Sequence, residues 1–227
     1  IAEDATDLQK LLTALAAYGK RWHLTFSPSK TRIVVFGKSK PRHKPRVLLG
    51  EMEIEYAEEY EYLGVIMTGD GQWRKATDKA VSKAVGAAQA LVSTGLAGDG
   101  AEIRPMFLLN AAFVSSYLER GFAAIPVLTR QQAKQLAQAQ RDIGRRILGI
   151  PRKESQVGVF GTLGWIPLEA RLKINTLLFY GHLRRLPLSF LAWKVAEEAI
   201  RTRSRWGAQV LDAMSEYGVS MEHVDSE

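Results

Sequence analysis

The sequence predicts an α+β protein, with strands confined to roughly the first 70 residues and helices thereafter. Three observations predict it. Residues 31–67 contain short β-branched and aromatic runs separated by Gly- and Pro-containing turns. From Trp73 onward the character changes to alanine-rich segments with apolar residues at helical spacing. Charge is segregated into blocks rather than mixed, which implies distinct faces. The expected organisation is residues 1–72 as helix plus a small antiparallel sheet, 73–188 as a mainly helical domain, and 189–227 as terminal helices with an acidic tail.

Residues 7–22 read as a helix, because Leu8, Leu11, Leu12, Leu15 and Tyr18 recur at helical spacing and Thr6 or Asp7 can cap the start. Ser27-Pro28-Ser29 is a turn, and residues 31–36 read as a buried strand closing on Gly37. A basic, Pro-containing loop follows over 38–46. Val47-Leu48-Leu49 and residues 52–56 flank Gly50-Glu51 as a small hairpin. Glu53 and Glu55 alternate there with Met52, Ile54 and Tyr56, giving one wet and one dry face. Residues 60–67 read as the next strand, ended by a turn at 68–71. Residues 73–94 and 104–118 are the next two helices. Thr129 caps a third over 129–148, which Gly149-Ile150-Pro151 stops. Pro167 suits the first turn of a fourth, reaching 186. Residues 189–203 and 209–217 supply the last two.

A hydrophobic content of 46% supports a packed core and argues against global disorder. No run of about 18 apolar residues exists, so no membrane span is expected. Without cysteine, disulfides and thiolate zinc sites are excluded. His23, His43, His182 and His223 lack ligand spacing, and no P-loop, dinucleotide glycine motif or catalytic triad signature is present. Neither a metal nor another cofactor is therefore expected. The net charge of +7 and pI ≈ 9.6 favour a polyanionic partner. Residues 20–50 hold lysines and arginines without an acid, whereas Glu51, Glu53, Glu55, Glu58, Glu59 and Glu61 follow without a cation. The chain opens on Ile1 with no signal-peptide pattern, as expected of a processed product or a piece of something longer.

Two cationic stripes stand out. Lys75, Lys79 and Lys83 fall at i, i+4 and i+8, with Ala76, Ala80, Ala84 and Ala88 supplying apolar surface elsewhere on the helix. Such a stripe suits phosphates without reading bases, although a solvated lysine face shows the same pattern. Lys134, Gln138, Arg141 and Arg145 lie at i, i+4, i+7 and i+11, away from Leu136, Ile143 and Ile147. Arg146, Arg152 and Lys153 extend that charge, and the guanidinium fork matches phosphate. Lys30, between a turn and a strand, offers a point charge that a solvated lysine would offer equally. Tyr60 and Tyr62 share a strand face, where they can stack or simply pack, and Gly64 permits close backbone approach. Glu3 and Asp4 read as helix-start acids that complement the dipole rather than as a metal pair.

Several of these runs resemble the polymerase region of non-LTR (LINE-type) retrotransposon reverse transcriptases. Trp22, Leu24, Lys30 and Thr31 match in order that family's W-x-L, turn and K-T before a strand. Tyr60, Tyr62, Leu63 and Gly64 are similar to its Y-x-Y-L-G primer grip. Residues 140–151 resemble its Q-R-x-x-x-R-x-I-L-G-x-P run, and Leu163-Gly164-Trp165-Ile166-Pro167-Leu168 resembles the L-G-x-x-P-L that follows. The resemblance reaches about Leu186. It implies a partial palm with a primer-grip hairpin over 1–72 and a helical thumb and linker over 73–188. It also implies that the chain starts just after the family's metal-binding aspartates, so no catalytic residue is expected within it.

The expectation is a non-catalytic fragment that binds RNA or RNA–DNA hybrid, or that serves as a structural component among protein subunits of a ribonucleoprotein or other large assembly. The alternative is the C-terminal part of an active RNA-directed DNA polymerase whose aspartates lie upstream. The nucleic-acid-binding candidates are Lys30, Tyr60, Tyr62, Gly64, Lys75, Lys79, Lys83, Lys134, Arg141, Arg145, Arg146, Arg152 and Lys153.

Overall fold

A computed structural model describes residues 1–37, 43–98, 100, 102–119, 122, 128–151 and 155–220. It is α+β and 61% helical, and the strands among the described residues form only two-stranded pairs. The chain divides into two compact units, Ile1–Trp73 and Arg74–Glu227.

In the first unit, α1 (Ala5–Arg21) starts at Asp4, whose carboxylate accepts from the Asp7 amide at 2.8 Å. That bond satisfies one of the orphan donors of a helix start. After α1 the chain folds back over Gly19, where an added Cβ would sit 2.6 Å from the Phe26 ring. A 3₁₀ turn (Pro28–Lys30) leads into β1 (Arg32–Val34). β2 (Leu48–Leu49) and β3 (Met52–Glu53) form the expected antiparallel hairpin around Gly50, which takes φ 64°. Gln9 of α1 covers β2, donating to the Leu48 carbonyl at 2.9 Å and accepting from the Leu48 amide at 2.8 Å. Ile33, Val47, Leu49 and Ile54 form the core, packed by Leu8, Leu12, Ala16 and Phe26.

Two expectations for this unit are corrected. β4 (Glu55–Ala57) pairs parallel with β1, Ile33 opposite Tyr56, so the sheet is not wholly antiparallel. The intervening stretch is long enough to bring the chain back in the same direction, which a tight turn cannot do. The expected strand 60–67 is instead a hairpin of β5 (Glu59–Tyr62) and β6 (Val65–Thr68). The chain reverses at Leu63 and Gly64, with φ 49° and 87°. Positive φ at both central residues is the primed turn whose twist matches paired strands.

The second unit is helical among its described residues. α2 (Arg74–Ser93) buries Ala76, Thr77, Ala84, Ala88 and Leu91. α3 (Ile103–Leu109), a π segment (Asn110–Ser115) and α4 (Ser116–Glu119) run on continuously. Met106, Asn110, Val114 and Leu118 are buried at strict spacings of four. A stripe with period four drifts around an ordinary α-helix of 3.6 residues per turn, and wider π turns bring it back to one side.

α5 (Arg130–Leu148) has a capping box: Gln132 N donates to Thr129 Oγ1 at 3.2 Å, and Thr129 N donates to Gln132 Oε1 at 2.8 Å. Gly149 ends the helix at φ 69°. α6 (Gln156–Leu163) had no counterpart in the sequence reading, because Gly158 and Gly161 weaken the helical signal there. Ser155 and Gly164 cap it. α7 (Leu168–Arg184) follows Pro167. α8 (Leu191–Arg201) and α9 (Arg205–Tyr217) complete the unit, with α9 starting at Arg205 because Ser204 Oγ caps the Gly207 amide at 3.1 Å. Tyr180, Val210 and Met214 join α7 to α9, with Trp206 edge-on to Tyr180 at 6.1 Å. Lys173 donates to Glu216 at 2.8 Å, and that hydrogen bond raises the pKa of its ammonium.

Candidate nucleic-acid interface

Two hydrogen bonds define how α2 and α5 sit together. Gln135 Nε2 donates to Asp78 Oδ1 at 2.8 Å, and Arg146 Nη1 donates to Gln89 Oε1 at 3.0 Å. Both pairs are separated by 57 residues, so the helices run parallel and in register. Both bonds are exposed, so the seam they mark opens to solvent.

The helical period then places the cations. On α2 the buried Ala76, Thr77, Ala84, Ala88 and Leu91 mark the inner face; Lys75 lies opposite it, and Lys79 and Lys83 step about 40° per turn toward its edge. Lys75 and Lys83 are exposed and Lys79 is half-buried. Toward the C-terminus the same outer face continues as Ser82, Gly86, Ala90 and Ser93, all exposed and all short. On α5 the inner face is Gln132, Leu136, Ala139, Ile143 and Ile147. Seen down each axis, Asp78 and Gln89 border the lysine face, and Gln135 and Arg146 border the face of Lys134, Gln138, Arg141 and Arg145. The handedness of two parallel right-handed helices puts Lys75 on the same side of the pair as that face, while Lys79 and Lys83 turn progressively away from α5.

Within that surface the cations differ in their surroundings. Lys134 is exposed. Arg141 donates to Gln138 Oε1 at 2.6 Å and reaches Gln156 of α6 at 3.4 Å. Arg145 lies 3.6 Å from Asp142, with 14% of its side chain exposed. Arg146 is exposed and bound to Gln89 across the seam. Asp78 and Asp142 place acids beside these cations. The arginines are gathered as their spacing predicts, yet their guanidinium groups are shared with neighbours. Arg152 and Lys153 lie outside the described residues.

The candidates of the first unit form a separate group. The Tyr60 hydroxyl donates to the Lys30 carbonyl at 2.7 Å, tying the 3₁₀ turn to β5 and leaving the Lys30 ammonium exposed. Tyr60 is half-buried, whereas Tyr62 is 60% exposed beside the Leu63-Gly64 turn. The two rings therefore differ in access although period two places them on one strand face.

The sequence reading missed Asp78, Gln89, Gln135 and Gln156, the polar partners that fix the seam and hold Arg141. No local signal marks them, since partners 57 residues apart in sequence meet only on folding. Among the described residues, no group of three or more His, Asp or Glu side chains is placed to hold a metal ion. No helix among them is long and apolar enough to cross a membrane. No family model, no curated protein and no solved structure matches this chain.

Proposed function

We propose that the chain is a reverse-transcriptase-derived, non-catalytic fragment that binds RNA or RNA–DNA hybrid, with α2 and α5 acting as a thumb-like cradle for the sugar–phosphate backbone. The observation that carries this reading is the parallel, in-register pairing of α2 and α5 at an exposed seam, with Lys75, Lys83, Lys134 and Arg146 exposed on the two helices. Lysines four residues apart rise about 6 Å per step and form a ladder of point charges. Such a ladder contacts phosphates and reads no bases, so affinity is electrostatic and salt-dependent. The short outer residues of the C-terminal half of α2 leave its backbone approachable. The Tyr60–Gly64 hairpin takes the place of a primer grip in this reading, with Tyr62 offering an exposed ring for stacking.

Lys30 favours a second reading, since its ammonium is exposed on a turn whose carbonyl Tyr60 holds. In that reading the same chain is the C-terminal part of a working polymerase, with the metal-binding carboxylates on other sequence.

Fluorescence anisotropy with a labelled RNA–DNA hybrid over a salt series tests the proposal. Binding should weaken steeply with salt, and Lys75→Glu/Lys79→Glu/Lys83→Glu should flatten the log–log slope by about one for each lysine. No binding at low salt, or an unchanged slope in the triple variant, would overturn it.

A further inference from the structure

Asn110 interrupts an otherwise apolar buried stripe, Met106, Val114 and Leu118, and is itself 2% exposed. Its Nδ2 lies 3.1 Å from Ser115 Oγ, while its Oδ1 is buried with no protein partner. Trp165 stands between α6 and α7, packed at 6.1 Å against the Phe160 ring. Its Nε1 is likewise buried with no protein partner. Both residues line one small cavity, whose wall also includes Ser115, Glu119 and Gln140 among apolar side chains.

We infer that this cavity is a binding site for a single ordered water that accepts from Trp165 Nε1–H and donates to Asn110 Oδ1. The indole nitrogen can only donate and the amide oxygen can only accept, so one molecule able to do both satisfies the two groups together. The Ser115 hydroxyl supplies a third partner, which matches the usual bonding of internal waters. The cavity volume is about 10 Å³, the room one water occupies and too little for a larger ligand. Buried polar groups are costly when left without a partner; in the remaining wall Val114, Leu118, Ile143 and Leu168 offer none, Gln140 is bonded to the Ile166 carbonyl and the Leu168 amide, and Glu119 is bonded to Arg171 and Asn175. The site explains an amide in a core stripe. It also links the π segment to the α6–α7 connection.

Water–protein cross-relaxation in the ¹⁵N-labelled full chain tests the inference. Trp165→Phe identifies the Trp165 indole signal among those of the five tryptophans. In the wild type that proton should show a cross-peak to water with the sign of a long-lived internal molecule. Asn110→Leu should remove it and keep the other indole signals in place. Ser115→Ala should retain it, which separates bound water from magnetisation relayed by a hydroxyl. A wild-type indole proton without the cross-peak overturns the inference, as does an unchanged cross-peak in Asn110→Leu. Should Asn110→Leu fail to fold, the wild-type and Ser115→Ala spectra decide it: a cross-peak in both supports the water, and its absence from either overturns it.

Discussion

α2 and α5 use the same sequence device, cations repeated at helical spacing, and the fold treats the two differently. On α2 the lysines run from the side opposite a face of alanines toward its edge, with Lys75 and Lys83 exposed and Lys79 half-buried. On α5 the arginines reach sideways, Arg141 to Gln138 and Gln156, Arg146 to Gln89, and Arg145 toward Asp142. The mid-helix glycines differ in the same sense. Gly86 of α2 has open space where a Cβ would go, whereas a Cβ on Gly144 of α5 would sit 2.7 Å from Val159 Cγ1 and 3.0 Å from the Trp165 ring. Spacing decides which face a charge occupies. What packs beside that face decides how far the charge is exposed.

The sharpest way to break this contrast is to strip the inner face of α5. Ile147 is fully buried, and Ile147→Ala should cost about 2–5 kcal/mol, read as a shift in the urea midpoint at constant slope. A shift equivalent to less than about 1 kcal/mol would mean that α5 does not anchor the second unit. Reversing Arg141, Arg145 and Arg146 to Glu should weaken hybrid binding and also destabilise the fold, by about 2–4 kcal/mol, because Arg145 is mostly buried beside Asp142. The lysine triple variant should lose affinity with a smaller fall in melting temperature than the arginine variant, because Lys75 and Lys83 are exposed. Equal melting temperatures for the two triple variants would erase the distinction between the helices. Gly144→Ala should cost about 1–3 kcal/mol through crowding against Val159 and Trp165. The smallest effect has the opposite sign: Gly86→Ala should stabilise by about 0.5–1 kcal/mol, since an exposed helical glycine loses more entropy on folding than alanine and meets nothing here. A destabilised Gly86→Ala chain would show that this face of α2 is covered.

Local chemistry was legible wherever a residue satisfies its own neighbourhood. The Thr129 capping box, the Gly149 stop, the long α2 and the hairpin at Gly50 are each written within a few residues. Elements defined by distant partners were not. β1 and β4 pair in parallel across a long connection, and nothing within either strand records its partner. The reversal at Leu63 and Gly64 escapes a reading of residue pattern, though the family resemblance implies a hairpin there, because leucine at φ 49° is outside the usual vocabulary of primed turns. α6 hides because two glycines lower its helical signal, and its stability comes from burying Val159, Phe160 and Leu163. In the candidate interface the cationic positions could be read from spacing. The seam of Asp78, Gln89, Gln135 and Arg146 could not.

By itself the sequence determined the class of each half of the chain, the start and stop of α5, and the order of the cations along α2 and α5. These follow from backbone periodicity and from caps, which act over one or two turns. It did not fix the start of α1, which is Ala5 capped by Asp4 rather than by Thr6 or Asp7. Only the tertiary structure decided that α2 and α5 run parallel, that the arginines are shared with glutamines and an aspartate, and that Asn110 and Trp165 face one small cavity. The reason is physical. Side-chain hydrogen bonds and close packing form between residues that folding brings together, and their energies depend on distances that spacing along one helix does not set.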